Sequence, residues 1–192
     1  MFLGILMKSC NDYNNKNVIN IPIEIPNLTI EKSSLEYNNS NSTWLLNGQP
    51  YSGIAVSYYS NGILKEEITI FNGKKENETK QWYSNGNRKL TADFHEGKLN
   101  GEKKFWSSES VLLSHLSYKL GKPHGEQKTW YPTGELHKVL NLEEGKEEGL
   151  QKAYRKNGVL YANYEVKKGR IFGLKKAMLC FGLDEETIQY EN

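Results

Sequence analysis

The sequence predicts an all-β chain, an elongated single-layer antiparallel meander of six 24-residue β-hairpin repeats. Glycine position is the first observation behind this. Of the 17 glycines in 192 residues, all but Gly4 fall in three columns. One column runs Gly48, Gly73, Gly97, Gly121, Gly145, Gly169, spaced 25 once and 24 thereafter. A second runs Gly53, Gly101, Gly125, Gly149, Gly173 with Asn77 in its gap, and a third Gly62, Gly86, Gly134, Gly158, Gly182 with Ser110 in its gap. Self-similarity at a fixed period marks a repeat architecture. Aromatic position is the second observation. Four residues before the third glycine stand Tyr58, Trp82, Trp106, Trp130, Tyr154 and Met178. The third is alternation: Ile68, Ala92, Leu116, Leu140, Tyr164, Ile188 and then Ile70, Phe94, Tyr118, Leu142, Val166, Tyr190 are separated by polar Thr69, Asp93, Ser117, Asn141, Glu165 and Gln189. Period 2 means a strand with one apolar and one wet face, so each repeat is two strands joined by two turns, about 12 strands in all.

Taken in chain order, residues 1–10 read as a possible truncated lipoprotein signal segment. Phe2 to Ser9 is a short apolar run ending in a small residue, and the polar stretch Asn11 to Asn15 follows Cys10. That order resembles the end of a bacterial lipoprotein signal peptide, in which the cysteine is lipidated. The apolar part is short and Lys8 departs from the motif; a start codon set too far downstream would explain the truncation. Residues 11–46, rich in Asn and Ser, read as a flexible polar tether with a lead-in strand, since Ile21, Ile23 and Ile25 alternate but Pro22 and Pro26 confine them to an edge or an extended linker. Residues 47–192 hold the six repeats.

The hairpin turn follows from its chemistry. In Tyr131-Pro132-Thr133-Gly134 a two-residue type I′ loop would need positive φ at the β-branched Thr133. A type I turn with Pro132 second and Gly134 in a left-handed bulge position suits every residue. That loop pairs Tyr58 with Leu64, Trp106 with Leu112, Trp130 with Leu136 and Tyr154 with Leu160. A two-residue loop would instead pair Trp130 with His137.

Charge and residue type narrow the function classes. Lys and Arg number 25 against 23 Asp and Glu, so the net of +2 gives no field strong enough to imply a nucleic-acid partner. Cys10 and Cys180 cannot build a disulfide framework, and no zinc-ligand spacing occurs; Cys180 reads as a small buried hydrophobe in an apolar run. His95, His115, His124 and His137 occupy four different repeat positions, so the repeat does not gather them. With no hydrolase, metalloprotease or phosphate-loop motif, no catalytic residue, metal or cofactor is expected, and the chain reads as not an enzyme. Nowhere does a run of 18 apolar residues occur.

The pattern G-x-x-x-x-W-Y-x-N-G, a strand, then x-G-K-x-x-G resembles the MORN repeat family and, within it, variant repeats of bacterial YwqK-type antitoxins. Lys74, Lys98, Lys122, Lys146 and Arg170 follow the first glycine column as that pattern expects, and Gly-Lys-Pro-His-Gly at 121–125 is close to its typical turn. The resemblance covers about residues 44–190 and implies a twisted antiparallel meander used to bind membranes, lipids or proteins. It transfers no catalytic residues.

One column is a candidate binding stripe. Lys80, Lys104, Lys128, Lys152 and Lys176 lie two residues before the aromatic column, on every second strand, and interleave with Trp82, Trp106 and Trp130. Spaced about 9 to 10 Å apart, they repel one another mildly at physiological salt. Such a stripe could grip anionic headgroups, an acidic protein surface or single-stranded nucleic acid. The competing expectation is that the lysine stems cover the aromatics while Glu78, Glu102 and Glu126, two residues earlier, neutralise the heads. The leading functional expectation is a non-enzymatic scaffold, a bacterial envelope lipoprotein anchored through Cys10 that binds an unknown protein, or cytoplasmic if Cys10 is not processed. An antitoxin neutralising a partner toxin and a peripheral binder of anionic membrane are the alternatives.

Overall fold

The computed structural model describes residues 24–174. Cys10, Cys180, the alternation at Ile21 and Ile23, and the sixth-repeat positions from 175 onward, including Lys176 and Met178, lie outside the described residues. Sixteen strands are described: β1 (Thr29–Glu31), β2 (Glu36–Asn38), β3 (Thr43–Leu46), β4 (Gln49–Pro50), β5 (Gly53–Tyr58), β6 (Leu64–Phe71), β7 (Lys74–Trp82), β8 (Arg88–His95), β9 (Lys98–Trp106), β10 (Leu112–Lys119), β11 (Lys122–Trp130), β12 (Leu136–Glu143), β13 (Lys146–Glu147), β14 (Gly149–Tyr154), β15 (Leu160–Lys167) and β16 (Arg170–Leu174). Thirteen form one sheet in the order β1-β5-β6-β7-β8-β9-β10-β11-β12-β14-β15-β16, with β13 also beside β12. From β5 onward the described part is a consecutive antiparallel meander, as the repeat pattern predicts; β1 adds a parallel edge against β5.

The hairpin loops take the predicted three-residue form. Gly134 N–H donates to the Tyr131 carbonyl at 2.8 Å, Tyr131 N–H donates to the Glu135 carbonyl at 2.9 Å, and Gly134 has φ +100°. Trp130 consequently pairs with Leu136 while Thr129 pairs with Lys138, which leaves His137 as the extra residue of a bulge. Tyr58–Leu64, Trp106–Leu112 and Tyr154–Leu160 obey the same register. Ser110, which interrupts the third glycine column, still adopts φ +68°, and Asn77 in the second column adopts φ +58°. Both replacements therefore keep the left-handed backbone that the glycines supply.

The turns between repeats are two-residue loops with both residues at positive φ, the type I′ geometry that fits strand twist. Asn72 and Gly73 have φ +46° and +74°; Leu120 and Gly121 have +50° and +86°. The turns at Gly73, Gly97, Gly121 and Gly145 are tied back to the preceding hairpin. Gly97 N–H donates to the Lys75 carbonyl at 2.8 Å, Gly121 N–H to Leu99 at 2.7 Å and Gly145 N–H to Pro123 at 2.7 Å.

The expected tether takes another form where it is described. Between Thr29 and Pro50 the chain forms β1, a 3-10 turn over Lys32–Ser34 and a second, three-stranded antiparallel sheet in the order β2-β3-β4. Apolar side chains among the Asn and Ser explain it. Leu35 is buried with Tyr51, Ala55, Ile68 and Ile70, and Ile30, Trp44 and Leu46 pack on that cluster. This small sheet caps one face of the first repeat, so the meander is two layers thick there. Hydrogen bonds weld the cap on: Tyr51 Oη donates to the Leu28 carbonyl at 2.8 Å, and Trp44 N–H to the Gly73 carbonyl at 2.8 Å. Gly73 must be glycine for this contact, because a Cβ there would stand 2.3 Å from Thr43 Cγ2.

Candidate binding surfaces

Cross-strand pairing sorts the repeat columns onto two faces. One unbroken row runs Val56, Glu67, Lys80, Thr91, Lys104, His115, Lys128, Val139, Lys152, Asn163 across ten strands. All four described stripe lysines therefore share one face, called here the outer face. Trp82, Trp106 and Trp130, two residues further along the same strands, fall on that side and are half-buried.

The outer lysines are held by neighbouring carboxylates. Lys80 Nζ lies 3.0 Å from Glu67 Oε1 and 3.5 Å from Glu78 Oε2; Lys104 lies 2.5 Å from Glu102, and Lys128 2.6 Å from Glu126. The hydrogen bond to Glu67 raises the Lys80 pKa above its ordinary value, and the hydrogen bond from Lys104 lowers that of Glu102. Lys152 differs: Leu150 stands two residues earlier, and no ion pair to Lys152 occurs among the described residues. Arg88, paired opposite Trp82, stacks on its ring at 4.5 Å. Thus the glutamates of the repeat screen three of the four lysines, and Trp82 lies under Arg88.

The other, inner face carries the row Ala55, Ile68, Thr79, Ala92, Lys103, Leu116, Gln127, Leu140. Ala55 and Ile68 are fully buried beneath the cap, and Thr79 and Ala92 are buried beside them. Beyond the cap, Phe94, Leu116, Tyr118, Leu140 and Leu142 are only half-buried. Polar side chains seal the backbone there. Gln127, 5% exposed, donates to the Ser117 carbonyl at 2.8 Å where the β10–β11 register shifts. The inner face is therefore buried at both described ends, under the cap and again at Gln151, Ala162, Tyr164 and Val166, and only half-buried along the middle repeats, where Lys103 and Gln127 interleave with its apolar side chains.

The Tyr of the W-Y-x-N-G pattern has a structural role that the sequence reading did not assign. Tyr59 Oη donates to the Trp82 carbonyl at 2.8 Å, Tyr83 to Trp106 at 2.7 Å and Tyr131 to Tyr154 at 2.9 Å. These tyrosines directly follow the aromatic column, and their own 24-residue recurrence was the available signal; Ser107 breaks it. The histidines disperse as expected: His95 pairs with Glu76, His115 with Glu102, and His137 stacks on Tyr131 at 4.4 Å between centroids.

A chain of hairpins, each bonded to the next and presenting two broad faces, defines a repeat scaffold. Residues 51–72 and 123–143 match the family model for the MORN repeat variant. The chain carries MORN-variant repeats, and the two matches sit three repeat lengths apart on hairpins of the same geometry. No curated protein gives a match. No helix among the described residues is long and apolar enough to cross a membrane.

Proposed function

We propose that this protein is a non-enzymatic scaffold that docks a partner protein along the inner face of its sheet. The observation that carries this is the half-buried apolar run Phe94, Leu116, Tyr118, Leu140 and Leu142 beyond the edge of the cap. Apolar side chains left partly exposed on alternate strands of one sheet face mark a contact surface, and aromatic residues among them are the type that dominates protein interfaces. The ion-paired outer lysines support a protein partner over an anionic membrane, because each glutamate offsets the charge a headgroup would need. Site-specific photocrosslinking from the two faces tests the docking, with adducts expected from the inner one.

Anchoring of the scaffold to a bacterial envelope through Cys10 is proposed from the residue order at 2–15 alone. Intact mass of the native protein tests it: a lipid-sized increment on Cys10 supports the anchor, and an unmodified cysteine overturns it.

A further inference from the structure

Where the cap ends, the inner face opens into a cleft of about 500 Å³, lined by Tyr37, Trp44, Lys74, Lys75, Phe94 and Lys98 together with Glu96. Three kinds of side chain converge there. Tyr37 and Trp44 form a tilted ring pair with centroids 4.7 Å apart, and Phe94 supplies a third ring from the main sheet. Lys74 is committed to the cap, donating to the Asn41 and Ser42 carbonyls. Lys75 is not: its ammonium sits 4.9 Å from the Phe94 centroid, and neither it nor Lys98 has an ion pair among the described residues.

The sequence makes this place unlike its repeats. The positions equivalent to Lys75 hold Leu99, Pro123 and Glu147, so the cation occurs only beside the cap. Glu66, the nearest buried acid, is already satisfied by Lys32 and Gln81. Three lysines face one carboxylate, Glu96. Burial holds the Lys75 pKa below its ordinary value, with Glu66 opposing it and Lys32 adding to it. A half-desolvated ammonium is costly when the carboxylate acting on it, Glu66, is already bonded to Lys32 and Gln81, and an incoming anion would offset that cost.

We propose that this cleft receives a carboxylate side chain of an acidic, apolar-flanked segment of the partner protein, with Lys75 and Lys98 holding the carboxylate and Trp44 and Phe94 covering the flanking apolar groups. The proposal rests on the inner face being the docking surface and adds the chemistry of what docks. Charge complementarity carries it, and the volume lies within the usual range of ligand-binding clefts.

The test is fluorescence anisotropy of the full chain with three labelled peptides of equal length, alternating Leu with Glu, Gln or Lys. The Glu peptide should bind tightest and weaken as salt is raised. Lys75→Met should weaken it by about tenfold or more, as expected for losing a charged hydrogen bond. Lys98→Glu, at an exposed position, should do the same without risk to folding, whereas Lys146→Met, remote from the cleft, should leave binding unchanged. Equal binding of the Glu and Gln peptides, unchanged binding in Lys98→Glu, or no binding of the Glu peptide at millimolar concentration would overturn the proposal. Leu140→Glu separates the two claims: if it abolishes peptide binding while the lysine variants do not, inner-face docking stands and the carboxylate cleft falls.

Discussion

Tyr83 Oη donates a hydrogen bond of 2.7 Å to the main-chain carbonyl of Trp106, 23 residues further along the chain in the next repeat. With the Gly97 N–H to Lys75 bond on the opposite edge, it fastens neighbouring hairpins at both ends. Equivalent tyrosine bonds flank it, but Ser107 is too short to continue the ladder and turns its hydroxyl back to Glu109 N–H at 3.2 Å.

Removing one rung should therefore weaken a repeat interface without altering a strand. Tyr83→Phe should destabilise the protein by about 0.5 to 1.5 kcal/mol, the net value of one intramolecular hydrogen bond. Tyr58→Phe, whose exposed hydroxyl makes no hydrogen bond among the described residues, should leave stability closer to wild type. Urea unfolding of both variants checks this, and equal losses would show that the ladder contributes nothing.

Turn residues make a second prediction. Leu120 sits at φ +50° with 60% of its surface exposed, a conformation that costs an L-residue about 1 to 2 kcal/mol. Asparagine tolerates it, as Asn72 does in the equivalent turn, so Leu120→Asn should raise stability by about 0.5 to 1 kcal/mol. Gly101→Ala should do the reverse, since its Cβ would lie 2.8 Å from Asp93 Cβ at φ +122°. Thermal melts of the two variants should move in opposite directions.

The two glutamate pairings on this sheet respond to pH with opposite sign. His95 Nδ1 lies 2.8 Å from Glu76 Oε1, and that hydrogen bond raises the imidazole above 6.5. The stabilisation is complete below 6.5 and is lost as pH rises through the higher folded value. At Glu66 burial disfavours the carboxylate, but the Lys32 and Gln81 hydrogen bonds outweigh it and the pKa falls below 4.5. That stabilisation is complete above 4.5 and is lost as pH falls through the lower folded value. The melting-temperature gap between wild type and His95→Gln should shrink on going from about pH 6 to 8, and that for Glu66→Gln from about pH 5 to 3. A gap independent of pH in either case would contradict the assignment.

The outer stripe gives a fourth prediction. Because Lys80, Lys104 and Lys128 are paired with Glu67, Glu102 and Glu126, changing all three to glutamine should not reduce co-sedimentation with phosphatidylserine vesicles. A clear loss in the variant would return the stripe to the membrane.

Much of the architecture was legible because each hairpin is a local object. The left-handed glycines, the β-branched Thr133 and the period-2 apolar positions determine loop type and register within a few residues, and Trp130 pairs with Leu136 as that chemistry requires. The cap was not legible, because its strands are short and its burial depends on contacts such as Trp44 with the Ile70 cluster, distant in sequence and outside the period. The lysine column was visible, but whether its charge is free depended on cross-strand partners. Glu67 reaches Lys80 only through the β6–β7 register, while the intrastrand glutamates could be anticipated. Lys75 was hidden for a related reason: it breaks its column, and its meaning arises from the cap beside it.

Leu140 and Val139 are adjacent in β12 but lie on opposite faces, Leu140 in the row of Gln127 and Val139 in the row of Lys128. Benzoylphenylalanine incorporated in place of each, in cells that make the protein natively, distinguishes the faces with one photocrosslinking experiment. Inner-face docking predicts a single adduct of defined mass from position 140, competed away by purified unlabelled protein, and none from position 139. Adducts from position 139 alone, equal adducts from both, or none from either would contradict it.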